Sequence, residues 1–138
     1  MEFYPDSEPA RRAHIRMQIE VAAYYINRQK AKGKKRRDIE RKINKAVEDW
    51  NLEWGKGPNY FDLHGMTLQG AKAFVARMIL RAKTAKLYFE VGRGNHSWNG
   101  IPVIKWGLIN DYRKAISVCD WNHGILVLNV SKVLNGSY

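Results

Sequence analysis

The chain has 138 residues, a single cysteine and a formal net charge of +11, with a sequence pI of about 9.9. Cys119 alone excludes a disulfide framework or a cysteine-built zinc site within the chain, and no apolar run reaches the length of a membrane span. The charge surplus favours a polyanionic partner, nucleic acid first, and both halves carry it, +5 over residues 1–57 and +6 over residues 58–138.

The first half reads as helical. Asp6 or Ser7 can cap a helix with Glu8 and Pro9 in its first turn, and this helix runs through Met17, Val21 and Tyr25 to stop near Gly33. Ile39, Ile43, Ala46, Val47 and Trp50 then form one apolar stripe at helical spacing. Two helices joined at a glycine predict an antiparallel hairpin with Lys34, Lys35, Arg36 and Arg37 at its tip, a basic cluster suited to gripping a phosphate backbone. Gly55-Lys56-Gly57-Pro58 is a run of breakers. We therefore expect a basic helical extension over residues 1–57 and a second domain over residues 58–138.

After the breakers the period changes. Residues 60–64, Tyr-Phe-Asp-Leu-His, alternate as a strand does, with Tyr60, Asp62 and His64 on one face. Thr67 can cap a helix whose inner face is Leu68, Ala71, Val75, Met78, Ile79 and Ala82. Residues 86–91 read as a second strand, and a glycine-rich loop follows over residues 92–100. A further helix starts near Ile101, with Pro102 in its first turn and Ile101, Ile104, Leu108, Tyr112 and Ala115 facing inward. Two last strands, near residues 117–120 and 125–130, flank a turn at residues 121–124. The order β-α-β-α-β-β predicts a two-layer α/β fold whose first strands run parallel and whose last pair runs antiparallel.

Candidate chemistry sits at the strand ends. Asp62 and His64 share a face at the carboxyl end of the first strand, and the loop Gly92-Arg93-Gly94-Asn95-His96-Ser97 leaves the carboxyl end of the second. In an open α/β sheet, loops at that edge form the ligand crevice. Gly92 and Gly94 would let backbone N–H groups approach a phosphate, and Arg93 could clamp it through paired hydrogen bonds. His64 or His96 can move protons near neutral pH, and Asp62 can orient a histidine. Trp98 is placed to stack on a base, or else packs on a helix. His14 and His123 lie outside both motifs and carry no assigned chemistry. Because RNA holds its own nucleophile in the 2′-hydroxyl, a base and a phosphate clamp suffice to cut it without a metal.

These residues resemble the Smr (small MutS-related) family. Residues 61–65, Phe-Asp-Leu-His-Gly, are similar to its Leu-Asp-Leu-His-Gly motif, and residues 91–97 are similar to its Thr-Gly-x-Gly-x-His-Ser loop. Residues 99–105, ending at Lys105, and residues 124–127 are similar to the stretches that follow, so the likeness runs over about residues 58–131. The helical region resembles, more loosely, the segment before eukaryotic Smr domains. The resemblance implies a fold similar to the C-terminal domain of translation initiation factor three, and nuclease activity on DNA or RNA, including mRNA on stalled ribosomes. It implies that Asp62 and His64 are catalytic, and that Gly92, Arg93, Gly94 and His96 belong to a loop that binds the substrate backbone and assists cleavage, which adds Arg93 and His96 to the catalytic candidates. Asn95, Ser97, Trp98 and Lys105 are taken as further substrate contacts. Val91 departs from the pattern, removing a hydroxyl at the start of the loop.

The leading expectation is an endoribonuclease acting on single-stranded RNA in the cytoplasm, without cofactor and without membrane attachment, and with a ribosome as a further partner. The alternatives are a DNA-nicking endonuclease, which would call for a divalent metal, and a non-catalytic RNA- or ribosome-binding module. Asp62 is the one carboxylate among these candidate residues, which is thin ligation for a two-metal site.

Overall fold

The computed structural model describes residues 7–92 and 102–136. The chain folds as α1 (Glu8–Arg28), α2 (Gly33–Trp54), β1 (Tyr60–Asp62), α3 (Leu68–Arg81), β2 (Lys86–Glu90), α4 (Val103–Asp111), β3 (Ile116–Val118), β4 (Ile125–Asn129) and α5 (Val130–Leu134). The sheet is four-stranded in the order β1-β2-β4-β3. β1 and β2 are parallel, while β4 runs antiparallel to both β2 and β3. This is the mixed α/β arrangement with an N-terminal helical hairpin that the periodicity predicts.

Several boundaries differ from expectation. α1 ends at Arg28, and Gly33 opens α2 at φ +58, a left-handed conformation that glycine adopts without penalty. Lys34, Lys35, Arg36 and Arg37 therefore form the first turn of α2, beyond the tip of the hairpin. Cations at that end oppose the helix dipole, so local propensity does not account for their position. Pro102 caps α4 from outside, and the helix ends at Asp111, leaving Tyr112 at its cap and Ala115 buried beyond it. β4 stops at Asn129, whose side chain accepts from the Lys132 N–H and starts the short α5 where a longer strand was expected.

One face of the sheet builds the main core. Phe61, Leu63, Leu87, Phe89, Leu126 and Leu128 join Phe74, Val75, Met78 and Ile79 of α3 and Leu108 of α4. Ile43, Val47 and Trp50 of α2 and Met17 and Val21 of α1 belong to the same cluster. The hairpin and the sheet thus share one interior. Phe74, absent from the expected inner face of α3, meets Phe61 edge-on at 5.5 Å. Burying a side chain of this size stabilises by about 1.5–3 kcal/mol. Tyr60 was expected on a polar face, but it is buried with Cys119 and Ile125 in a smaller cluster on the other side of the sheet. That position satisfies its aromatic body, while its hydroxyl reaches Glu90.

β1 lies at the edge of the sheet, and α2 seals it. Asn51 is buried; its Oδ1 accepts from the Asp62 N–H and its Nδ2 donates to the Asp62 carbonyl. Seven residues earlier, Asn44 does similar work on Thr67: its Oδ1 accepts from the Thr67 N–H, and its Nδ2 donates to the Thr67 hydroxyl. Thr67 caps α3 by accepting from the Gly70 N–H. Two asparagines on one face of α2 therefore hold both ends of the turn that carries His64.

Candidate active site

The carboxyl ends of β1 and β2 fall side by side, because Asp62 pairs in register with Glu90 and the Leu63 N–H donates to the Glu90 carbonyl. The turn before β4 reaches the same edge. Both the Val91 and Gly92 N–H groups donate to the Gly124 carbonyl, at 2.8 and 3.1 Å. Three separate segments thus meet where β1 ends, and His64 projects from the first of them.

Asp62 is 4 % exposed, a low value for a carboxylate. Its Oδ1 accepts from His64 Nδ1 at 2.7 Å and from the His64 backbone N–H at 2.9 Å. Its Oδ2 lies 3.8 Å from His14 Nε2. Burial acts to raise the Asp62 pKa, but the imidazoles of His14 and His64 outweigh it and hold the carboxyl well below the ordinary range. An ionised carboxylate only accepts, so Nδ1 of His64 carries the proton in this pair. The neutral ring then keeps its lone pair on Nε2.

His64 has a half-exposed side chain and a pKa raised above the ordinary histidine value. The hydrogen bond to Asp62 is the largest cause; burial opposes it, Glu90 adds to the rise, and Lys56 offsets part of it. Nε2 faces Gly92, where an added β-carbon would stand 2.6 Å from it. Gly92 also has φ +74, so both space and backbone conformation demand glycine there. Gly92, the first residue of the glycine-rich stretch, is thus in close contact with the histidine.

The expected site residues fall into two groups. Asp62, His64 and Gly92 come together as expected. Arg93, Gly94, Asn95, His96, Ser97 and Trp98 lie outside the described residues. Lys105 donates from Nζ to the His123 carbonyl at 2.9 Å, so it ties α4 to the turn before β4. Lys34, Lys35 and Arg37 are exposed, and Arg36 reaches the Arg28 carbonyl. Val91, where the Smr motif has threonine, is buried in the main core.

Three contributors escaped the sequence reading. His14, given no chemistry, stands against Asp62. Glu90 adds a second carboxylate: its Oε2 accepts from Lys56 Nζ at 2.6 Å and from the Tyr60 hydroxyl at 3.2 Å. Lys56, in the supposed linker, has a side chain only 5 % exposed. Strand parity offered a signal for Glu90, since it stands opposite Asp62 in a parallel pair, but nothing local marks Lys56 or His14. One ligand atom from each of Asp62, His64 and Glu90 falls within 4.8 Å of the others, so these three could hold a metal ion. Glu90 already faces the Lys56 ammonium and Asp62 Oδ1 accepts twice from His64, which lessens the draw on a divalent ion.

The sequence matches no family model, and no curated protein matches it at a significant level. Among solved structures, the chain is similar to the solution structure of the B3BP Smr domain, at 23 % identity and a TM-score of 0.46. That likeness covers 65 % of this chain and 90 % of the other. No helix among the described residues is long and apolar enough to cross a membrane.

Proposed function

We propose that the chain is a metal-independent endoribonuclease of Smr type that cuts single-stranded RNA, mRNA included, with His64 as the proton-transfer group. The observation that carries this reading is the Asp62–His64 pair at the carboxyl edge of two parallel strands. There Nδ1 is held by a buried carboxylate, and Nε2 is turned toward Gly92 at the root of the glycine loop. A neutral His64 accepts the proton of a 2′-hydroxyl at Nε2. The 2′-oxygen then bonds to the adjacent phosphorus, the bond to the 5′-oxygen breaks, and a 2′,3′-cyclic phosphate remains. In this scheme Arg93, Gly92 and Gly94 bind the scissile phosphate, and His96 supplies the proton to the leaving oxygen. The basic first turn of α2 and the overall surplus of +11 supply salt-dependent affinity for RNA or a ribosome surface.

The test is cleavage of a single-stranded RNA in the presence of a chelator, comparing wild type with His64→Ala and Asp62→Asn. The expected result is full cleavage by the wild type, leaving cyclic phosphate ends, a much reduced rate in Asp62→Asn and none in His64→Ala. Equal activity in all three proteins removes the assignment.

A metal-dependent DNA nickase is the second reading, favoured by the closeness of Glu90 to Asp62 and His64. It predicts nicking of supercoiled plasmid that requires magnesium or manganese and is lost in Glu90→Gln. Salt-dependent RNA binding with no cleavage under any condition would leave a binding module.

A further inference from the structure

We propose that His14 is a positioning residue of the active site, carried by α1 to the second oxygen of Asp62, so that the helical hairpin forms part of the catalytic machinery. The inference rests on the nuclease reading of Asp62 and His64. A carboxylate buried this deeply gives up its hydration, and partners at both oxygens offset that loss. His64 occupies Oδ1. On the other side, the His14 ring reaches Asp62, with Nε2 3.8 Å from Oδ2, close enough for an electrostatic contact.

The His14 ring is held for this task. It packs on Trp50 with centroids 4.7 Å apart and planes inclined by 53°. Trp50 is buried on α2, one residue before Asn51, which fixes the Asp62 backbone. Adjacent residues of α2 therefore govern the main chain of Asp62 and the partner of its side chain. On α1, His14 follows Ala13 in the buried stripe formed by Ala10, Ala13, Met17 and Val21. Further along the same helix, the Tyr25 hydroxyl donates to the Gly65 carbonyl at 2.7 Å. α1 thus meets the chain on both sides of His64.

The chemical consequence is orientation. An imidazole beside Oδ2 opposes rotation of the Asp62 carboxylate, which would otherwise loosen Oδ1 from His64 and let the His64 ring turn. His14 touches neither substrate nor the reacting atoms in this scheme. Among the described residues, the titratable groups around the pair are His14 from α1, Glu90 from β2 and Lys56 from the segment after α2.

Two variants of the full chain test the role. His14→Phe keeps a flat ring against Trp50 and removes the nitrogen, whereas His14→Gln keeps an N–H of similar reach. The Asp62 carboxyl is titrated by carbon-detected NMR, and steady-state cleavage of a single-stranded RNA is measured in parallel. We expect His14→Phe to shift Asp62 protonation to higher pH and to lower kcat by about tenfold to a hundredfold. KM should stay within about twofold, because the residue acts on orientation and not on uniform binding. His14→Gln should recover part of both effects. If the Phe variant is not folded by circular dichroism, His14→Ala removes the nitrogen without a larger ring and gives the same readout. An unmoved Asp62 titration in a folded variant overturns the proposal, as does a raised KM with unchanged kcat. If the titration moves while even the wild type fails to cut RNA, the positioning role stands and the nuclease reading falls.

Discussion

The carboxamide of Asn51 takes the place of a neighbouring strand for Asp62, accepting from its N–H and donating to its carbonyl, both at 2.7 Å. An edge strand normally leaves such groups to water or to another chain. Here α2 closes the edge, and the same contact sets the height of the Asp62 side chain above the sheet. Replacing Asn51 by Leu leaves two buried backbone groups without this partner. We expect a loss of about 2–4 kcal/mol in urea denaturation, since each unsatisfied group costs about 1–3 kcal/mol. Cleavage should fall further than the folded fraction accounts for. A loss under about 0.5 kcal/mol, the range of an ordinary surface substitution, would show that the clamp is dispensable.

Gly92 is expected to be intolerant of any side chain. In Gly92→Ala the β-carbon meets His64 Nε2 at 2.6 Å, and the backbone is held at a positive φ that costs a non-glycine residue about 1–2 kcal/mol. The imidazole is the movable partner, so it should turn away. The expected outcome is a folded protein, slightly less stable, whose kcat drops by at least about tenfold. Unchanged kcat in that variant would argue that Nε2 is not the working nitrogen.

Stability and activity should depend on pH through the same pair. The folded pKa of His64 is raised, so its stabilising contribution is complete below the ordinary value of 6.5 and fades as pH climbs through the folded value. Asp62 is shifted down, so its contribution is complete above the ordinary 3.8 and fades only as pH falls through its lower folded value. The stability gap between wild type and His64→Ala should thus be widest between about pH 4 and 6.5 and narrow at alkaline pH. Cleavage needs the neutral His64 ring, so the acid limb of a bell-shaped rate profile should have its midpoint above the ordinary histidine value, the alkaline limb reporting loss of the proton donor. Asp62→Asn should move that midpoint down. A midpoint unaffected by Asp62→Asn would separate the two residues functionally.

Lys56 and Glu90 form a largely buried ion pair beside this site. Removing one partner strands the other, and we expect Lys56→Met to cost about 2–4 kcal/mol. Because the Lys56 ammonium depresses the His64 pKa, its loss should also push the His64 titration to still higher pH. Adding Glu90→Gln should recover part of the stability and bring the titration back down, which a double-mutant cycle with NMR titration would measure. Additive effects on both readouts would mean that the pair does not act as a unit.

Period and punctuation in the sequence determined the elements and their directions. The 3.6-residue stripe of α2, the caps Ser7 and Thr67, and the strands at Tyr60–Asp62 and Lys86–Glu90 are all visible locally, because burial of one face imposes its repeat on the chain. The spacing of Asp62 and His64 placed them together, since only two residues of backbone separate them. The tertiary structure alone decided what surrounds that pair. His14 lies 48 residues before Asp62, and Lys56 lies 34 before Glu90. Asn51 and Asn44 read as ordinary polar positions on a helix until the edge of β1 and the cap of α3 come up against them. Such contacts follow from how two helices pack on a sheet edge, and a buried charge selects its partners by proximity in space, which the local sequence does not encode.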